Sequence, residues 1–282
     1  MNCVEFRQVS LEVDGKLFLD QADLVVSAGE SVVIAGLPGC GKSFVPRIIL
    51  GLPGMDNDQV TLQGDVLVAG SSVPALSNQD LQALRRRIGT VMRNGGLIEN
   101  RDIRTNIVLP LTYHYHDVLG PDDIQARCDA VLDDLQLAHL GTPGIRPVAL
   151  TQQERRYASL ARALVCEPFL LLLDEPCAGL SPGPANRLCR HVFSYEPGFS
   201  PSLPEHVGRH AGGLTRIVTT VDLGHYLDFA DRFILLHDGS LTDLGDRANL
   251  LDSTDPRVRE LLDGYLAATA RAAPPLAETL RG

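Results

Sequence analysis

Gly36, Gly41, Lys42 and Ser43 stand at the spacing G-x-x-x-x-G-K-S inside the stretch VIAGLPGCGKS. An apolar strand entering such a turn, and a helix leaving it, point backbone N–H groups and a helix N-terminus at an anion. The lysine supplies a point charge for the β and γ phosphates of a nucleoside triphosphate, and the serine hydroxyl an oxygen ligand for Mg²⁺. Leu37, Pro38, Gly39 and Cys40 complete the cradle; Pro38 has no N–H to offer, and Cys40 reads as a small filler. The alternative is a plain glycine turn with a solvated lysine. Asp174 and Glu175 close the apolar run FLLLLDEP. Carboxylates at the C-terminal edge of a buried parallel sheet sit where such sheets bind ligands. Asp174 is expected to hold the Mg²⁺ shell and Glu175 to polarise an attacking water. Taken alone, an acidic pair after an apolar run is weak evidence; the lysine loop upstream gives it meaning.

The elements that must position these residues follow from hydrophobic periodicity. Val4 to Val26 predicts two extended segments turned at Asp14 and Gly15, a hairpin signal. SVVIAG predicts a buried strand, and KSFVPRIILG a helix opening at Lys42 and stopping near Gly51, with Pro46 tolerated in its first turn. DVLVAG and RIGTVM are further strands, separated by a helix from Ser77, its N-cap, to Arg87. Helical patterns cover 121–140 and 151–166, and FLLLLDEP, TRIVTTVD and RFILLHD are short apolar runs suited to central parallel strands. Strands alternating with helices in the second half predict a doubly wound α/β sheet. The arginines 85–87 are read as a solvated helix end, and His225 and His237 as ordinary surface histidines.

Composition narrows the function. The chain has 282 residues, 44% hydrophobic and 21% charged, which suits a globular protein. A net charge of −10 argues against a broad basic surface for nucleic acid. Its six cysteines form no C-x-x-C pair, so neither a zinc site nor a disulfide frame is expected. No charged start leads an apolar run, and no segment approaches the roughly 18 apolar residues of a membrane span.

The segment LTQQERRYASLARALVCEPFLLLLDEP carries a family resemblance, keeping Leu150, the ARAL of 161–164 and the DEP of 174–176. In its order of motifs the chain resembles the nucleotide-binding subunit of ABC transporters. The stretches RNGGLIENRDIRTNIVLPL and DPRVRELLDGYL look, more narrowly, like the ATPase of the Mla/Mce lipid-transport systems. The resemblance implies an α/β P-loop NTPase cassette with a RecA-like core, an N-terminal antiparallel β subdomain and a helical subdomain. It implies a cassette over 1–245, with the helical subdomain at about 95–165, and a C-terminal helical tail over 246–282; the stretch 193–213, rich in Gly, Pro, Ser and His, reads by its composition as an exposed insertion. It also implies ATP and Mg²⁺ as ligands, a second cassette in a homodimer or heterodimer, a membrane permease subunit, and lipid-binding Mla/Mce components. The location implied is cytoplasmic, peripheral on the inner face of the cell membrane.

Several family positions are altered. The adenine-stacking aromatic aligns with Val13, and the metal-binding glutamine with Arg93, whose guanidinium has no acceptor for a metal. The signature serine and glycines align with Thr151, Gln152 and Gln153, where glutamine side chains would obstruct the partner's approach to the γ-phosphate. The aspartate after DEP aligns with Ser181, and the switch histidine with Val221. If each lost contact resembles a lost transition-state donor, it costs roughly 2.7 to 4 kcal/mol, about a hundredfold to a thousandfold in rate. Two readings follow: a working ATPase that drives lipid movement, or a nucleotide-binding, hydrolysis-poor cassette beside an active one.

Overall fold

The computed structural model describes residues 1–52, 59–196 and 213–263. The chain opens with strands β1 (Asn2–Val13) and β2 (Lys16–Ser27), an antiparallel hairpin turned at Asp14 and Gly15, both at positive φ. Next come β3 (Ser31–Ala35), helix α1 (Phe44–Ile49), β4 (Val60–Val68), β5 (Ser71–Ser72), α2 (Asn78–Arg85) and β6 (Ile88–Val91). Three helices follow, α3 (Ile103–His114), α4 (Pro121–Asp134) and α5 (Gln152–Leu164), before β7 (Leu170–Asp174) and α6 (Pro182–Ser194). The described chain closes with β8 (Thr215–Thr220), β9 (Arg232–His237), β10 (Ser240–Gly245), α7 (Arg247–Asp252) and a helix over 256–263.

Among the described residues the strands form two sheets. A four-stranded antiparallel sheet runs β2-β1-β4-β5, and a six-stranded sheet runs β10-β9-β3-β8-β7-β6, parallel except for its β10 edge. In the larger sheet the side chains alternate between two apolar layers. Val32, Ile34, Leu170, Leu172, Ile234 and Leu236 face the layer that holds α1 and the N-terminal sheet. Val33, Ala35, Leu171, Leu173, Phe233 and Leu235 face the layer built from α3 to α6. Burial on both faces explains why these strands are nearly continuous apolar runs, and each fully buried leucine contributes roughly 2 kcal/mol.

Several expectations shift in detail. Helix α1 starts at Phe44, not Lys42: Ser43 is its N-cap residue, yet its hydroxyl is spent on Asp174 and caps nothing. The 121–140 pattern breaks after Asp134, where Gln136 takes a left-handed φ of 58°, and a short 3₁₀ turn fills Ala138–Gly141. Of the arginine run only Arg86 is exposed as a solvated helix end would be. Arg85 donates to the carbonyls of Leu50 and Gly51 at 2.8 and 3.1 Å, tying α2 to the end of α1, and the Arg87 guanidinium lies over the Phe169 ring. Most of the expected 193–213 insertion, and the tail beyond 263, lie outside the described residues. Within the described residues no helix is long and apolar enough to cross a membrane.

Candidate nucleotide-binding site

Strands β3, β8 and β7 are neighbours in the parallel sheet, so their C-terminal ends deliver three short segments to one edge. From β3 comes the 36–43 loop. A Cβ on Gly36 would stand 2.5 Å from the Leu236 carbonyl oxygen and 2.6 Å from the Cys40 sulfur, so only glycine fits there. Gly41 has a φ of 98°, and a Cβ there would meet the Phe18 ring at 2.8 Å. The loop delivers Lys42, whose side chain is only 6% exposed; its ammonium donates to the Leu37 carbonyl at 3.1 Å and lies 3.8 Å from Glu175 Oε1.

From β7 come Asp174 and Glu175, and from β8 come Thr219, Thr220 and Val221. Asp174 Oδ1 accepts from Ser43 Oγ at 3.2 Å and from Thr219 Oγ1 at 2.7 Å. Oxygen ligands from a hydroxyl and a carboxylate suit Mg²⁺, which takes few protein ligands and completes its shell with phosphate and water. Glu175 is buried at a left-handed φ of 49°. Its amide donates to the Thr219 carbonyl at 2.9 Å, and its Oε2 accepts from the Val221 amide at 3.3 Å. Burial pushes its carboxyl above the usual range; the Lys42 cation, the Val221 amide and the Arg93 cation pull it back, while Asp174 adds to the rise. A buried, cation-flanked carboxylate of this kind is suited to taking a proton from water.

The altered positions surround this edge. Arg93 is exposed on the turn that follows β6, its charge within reach of Glu175. Thr151 caps α5 with its hydroxyl, accepting from the Glu154 amide at 3.3 Å, while Glu154 accepts from the Thr151 amide at 2.8 Å. Gln152 stays exposed and folds over the 178–179 turn: its Nε2 donates to the Ala178 carbonyl at 3.1 Å and lies 2.6 Å from where a Gly179 Cβ would be. Gln153 accepts from Arg187 at 3.4 Å. Ser181 is the exposed N-cap residue of α6 and makes no side-chain cap bond, and Val221 is 39% exposed. Val13 is buried in the hairpin, leaving no side-chain face for a base. His225 lies 3.5 Å from Asp222, and His237 meets Arg257 at 3.1 Å.

Sequence reasoning missed four contributors. Thr219 was read only as part of a strand, and its hydroxyl is what orients Asp174. Phe18, packed against Phe44 with ring centroids 4.7 Å apart and the planes tilted by 48°, walls the loop at Gly41. Arg156, buried in α5, donates to the Met92 carbonyl at 3.2 Å and the Ala178 carbonyl at 3.4 Å, joining the turn before Arg93 to the turn after Glu175. The Leu223 amide donates to the Leu261 carbonyl at 3.0 Å, so the 256–263 helix anchors the segment after Val221. None of these has a spacing signature; only long-range pairing brings them to the site.

Comparison with known proteins places this geometry. The family model described as ABC transporter matches residues 19–178. The intermembrane phospholipid transport system ATP-binding protein MlaF of Escherichia coli (strain K12) is 28% identical over 93% of this chain and 89% of its own length. The methionine import ATP-binding protein MetN of Rhizobium johnstonii is 28% identical over 94% of this chain and 70% of its own. Among solved structures, a dimeric ATP-binding cassette in a post-hydrolysis state, bound to ADP and Pi, has a TM-score of 0.68 at 24% identity, over 84% of this chain and 96% of that one. CbiO1 of Clostridium perfringens, part of the cbiONQ transporter complex, has a TM-score of 0.71 at 20% identity, over 96% and 99%. A family match running from the first hairpin through the Glu175 turn, on the fold of solved cassettes, makes this chain a member of the ABC transporter family, an ATP-binding subunit.

Proposed function

We propose that this chain couples ATP binding and hydrolysis to lipid movement in a transporter of the Mla/Mce type. The observation that carries the lipid assignment is the likeness to MlaF across 93% of the chain. The residues then take specific roles. Loop 36–43 wraps the phosphates, Lys42 meets the β and γ oxygens, and Ser43 with Asp174 holds Mg²⁺, which supplies charge neutralisation for the leaving phosphate. Thr219 keeps Asp174 turned toward Ser43. Glu175 takes the proton of the attacking water, and the Val221 amide and Lys42 hold its carboxylate in place until ATP draws Lys42 away.

The partners follow from the same reading. Met92, Ile98, Leu109 and Tyr113, on the loop after β6 and on α3, leave large apolar side chains exposed, which supports a permease contact on that side. The chain then works as a cassette, bounded at about 1–245 with a tail over 246–282, peripheral on the inner face of the cell membrane. A second cassette pairs with it, and lipid-binding Mla/Mce components complete the system.

A second reading is favoured by Gln152, folded over the 178–179 turn, and by Val221, which offers the site only its backbone amide. In that reading the chain holds ATP without turning it over and serves as the regulatory half of a heterodimer. Steady-state ATP hydrolysis by the purified chain, alone and with the permease and any second cassette encoded beside it, decides between them, with Glu175→Gln as background. Turnover with the permease alone, lost in Glu175→Gln, supports the working ATPase. Binding without turnover until an intact cassette joins supports the regulatory half. Lys42→Ala should abolish nucleotide binding, and unchanged affinity in that variant would remove the phosphate roles altogether.

A further inference from the structure

Beside the nucleotide edge, on the side facing α6, two thiols touch. Cys177 lies two residues past Glu175, and Cys189 lies on α6; their sulfurs are 3.5 Å apart, with the residues 5% and 1% exposed. The Cys177 sulfur also faces the Ala185 carbonyl at 3.9 Å and the Tyr226 hydroxyl, and the buried Arg156 guanidinium lies within electrostatic reach. The neighbouring thiol and the Arg156 cation favour charge on the Cys177 sulfur, whereas the Ala185 carbonyl and the Asp222 carboxylate oppose it. The Cys189 thiol, the Tyr226 hydroxyl and the Arg156 cation lower the Cys177 thiol despite its burial, whereas the bond to Cys177 and burial push Cys189 up. One nucleophilic sulfur against one protonated sulfur is the arrangement of an attacking and a resolving thiol.

We propose that Cys177 and Cys189 form a modification site, at which hydrogen peroxide converts the pair into an intramolecular disulfide that re-poses the segment carrying Glu175. The Cys177 thiolate attacks one peroxide oxygen; the S–O bond forms as the O–O bond breaks, and hydroxide leaves and takes up a proton to become water. The Cys189 sulfur then attacks the sulfenic sulfur, the S–S bond forms, and the second oxygen departs as water carrying the Cys189 proton. The two thiols lose two electrons and the peroxide gains them. Cys177 and Cys189 are 5% and 1% exposed, so the reaction needs a local opening of this turn, and peroxide, scarcely larger than water, needs only a small one.

The consequence comes from bond lengths. Closing the pair from 3.5 Å to a disulfide length of about 2.05 Å draws the sulfurs together by about 1.5 Å. The displaced segment is densely bonded. The Ala178 amide donates to the Glu175 carbonyl at 3.0 Å, the Leu180 amide to the Cys177 carbonyl at 3.0 Å, and the Ala178 carbonyl accepts from Gln152 and Arg156. Where the Cys177 backbone, rather than Cys189 or a χ1 rotation, takes up the closure, these bonds lengthen or rotate. Any effect on hydrolysis rests on the role proposed above for Glu175; the cross-link and the movement do not.

The test uses the full chain with hydrogen peroxide, quenched by alkylation and mapped as peptides without reduction, together with hydrogen exchange over 175–181. The expected result is a Cys177–Cys189 cross-linked peptide, faster exchange of the Ala178 and Leu180 amides, and reversal of both by dithiothreitol. Cys189→Ala should give no cross-link and should leave Cys177 as a sulfenic acid that a dimedone probe captures. Sulfinic acid at Cys177 in the wild-type chain without a cross-linked peptide would overturn the site. A cross-link with unchanged exchange over 175–181 would overturn the link to Glu175.

Discussion

The Lys42–Glu175 pair gives the sharpest energetic expectation, because both side chains are nearly sealed from solvent and lie 3.8 Å apart. At an effective dielectric of ~20, opposite unit charges at that separation attract by about 4 kcal/mol. Lys42→Met removes this attraction and the bond to the Leu37 carbonyl, and it leaves a buried carboxylate without its cation. The expected cost at pH 7 is about 3 to 5 kcal/mol, the range for breaking one side of a buried pair. In a Glu175→Gln background Lys42 is a buried cation without its anion, so Lys42→Met should cost less than about 1 kcal/mol, because removing that charge offsets the lost hydrogen bond. The difference between the two costs is the coupling energy. Urea unfolding of the four proteins, followed by circular dichroism since the chain has no tryptophan, measures it. Equal costs of Lys42→Met in both backgrounds would mean that the pair carries no energy and that Glu175 is held by the Val221 amide alone.

Further outcomes follow from the same geometry. Glu175 has its carboxyl raised above 4.5, so the folded state holds that proton more tightly than the unfolded chain. Its contribution is fully present below pH 4.5 and is lost as pH rises through the folded value; Glu175→Gln should remove that part of the pH dependence of stability, read by urea midpoints from acid to neutral pH. Gly36→Ala should destabilise the fold by about 2 kcal/mol or more and weaken nucleotide binding, since its Cβ would sit 2.5 Å from the Leu236 carbonyl oxygen; a variant with wild-type midpoint and affinity would contradict that contact. Val221→His combined with Gln152→Gly and Gln153→Gly should raise turnover by on the order of a hundredfold, and no gain would place the main defect at Arg93.

The periodic parts of the fold were legible from the chain. β3, β7 and the middle of β9 are continuous apolar runs because they are buried on both faces, and the hairpin is announced by Asp14–Gly15. That the 36–43 loop and the acidic end of β7 meet was equally legible, since glycine, lysine and carboxylate at those spacings point to one edge of a parallel sheet, and the structure brings Lys42 and Ser43 to Glu175 and Asp174. What the chain concealed are interactions with no local period. Arg85 reads as a solvated charge until the carbonyls at the end of α1 are placed beside it. Gln152 could stand off the α5 N-terminus or fold over Gly179, and only the tertiary contact to Ala178 selects the second. Thr219 supplies the hydroxyl for Asp174 only because β8 pairs with β7 in that register.

The position of β3 also bears on how the molecule is made. Ser31 to Ala35 are paired on one side with Arg216 to Thr220 and on the other with Arg232 to Leu235, so the strand that bears the phosphate loop leaves the ribosome long before either neighbour exists. Contacts this distant in sequence make folding slow. Until residue 216 emerges, a five-residue apolar strand has both edges open, and an unpaired edge of this kind is a template for pairing with another chain. Nascent chains stalled between β7 and β8 should therefore depend heavily on chaperones, whereas release of chains extended past β9 should abolish that dependence.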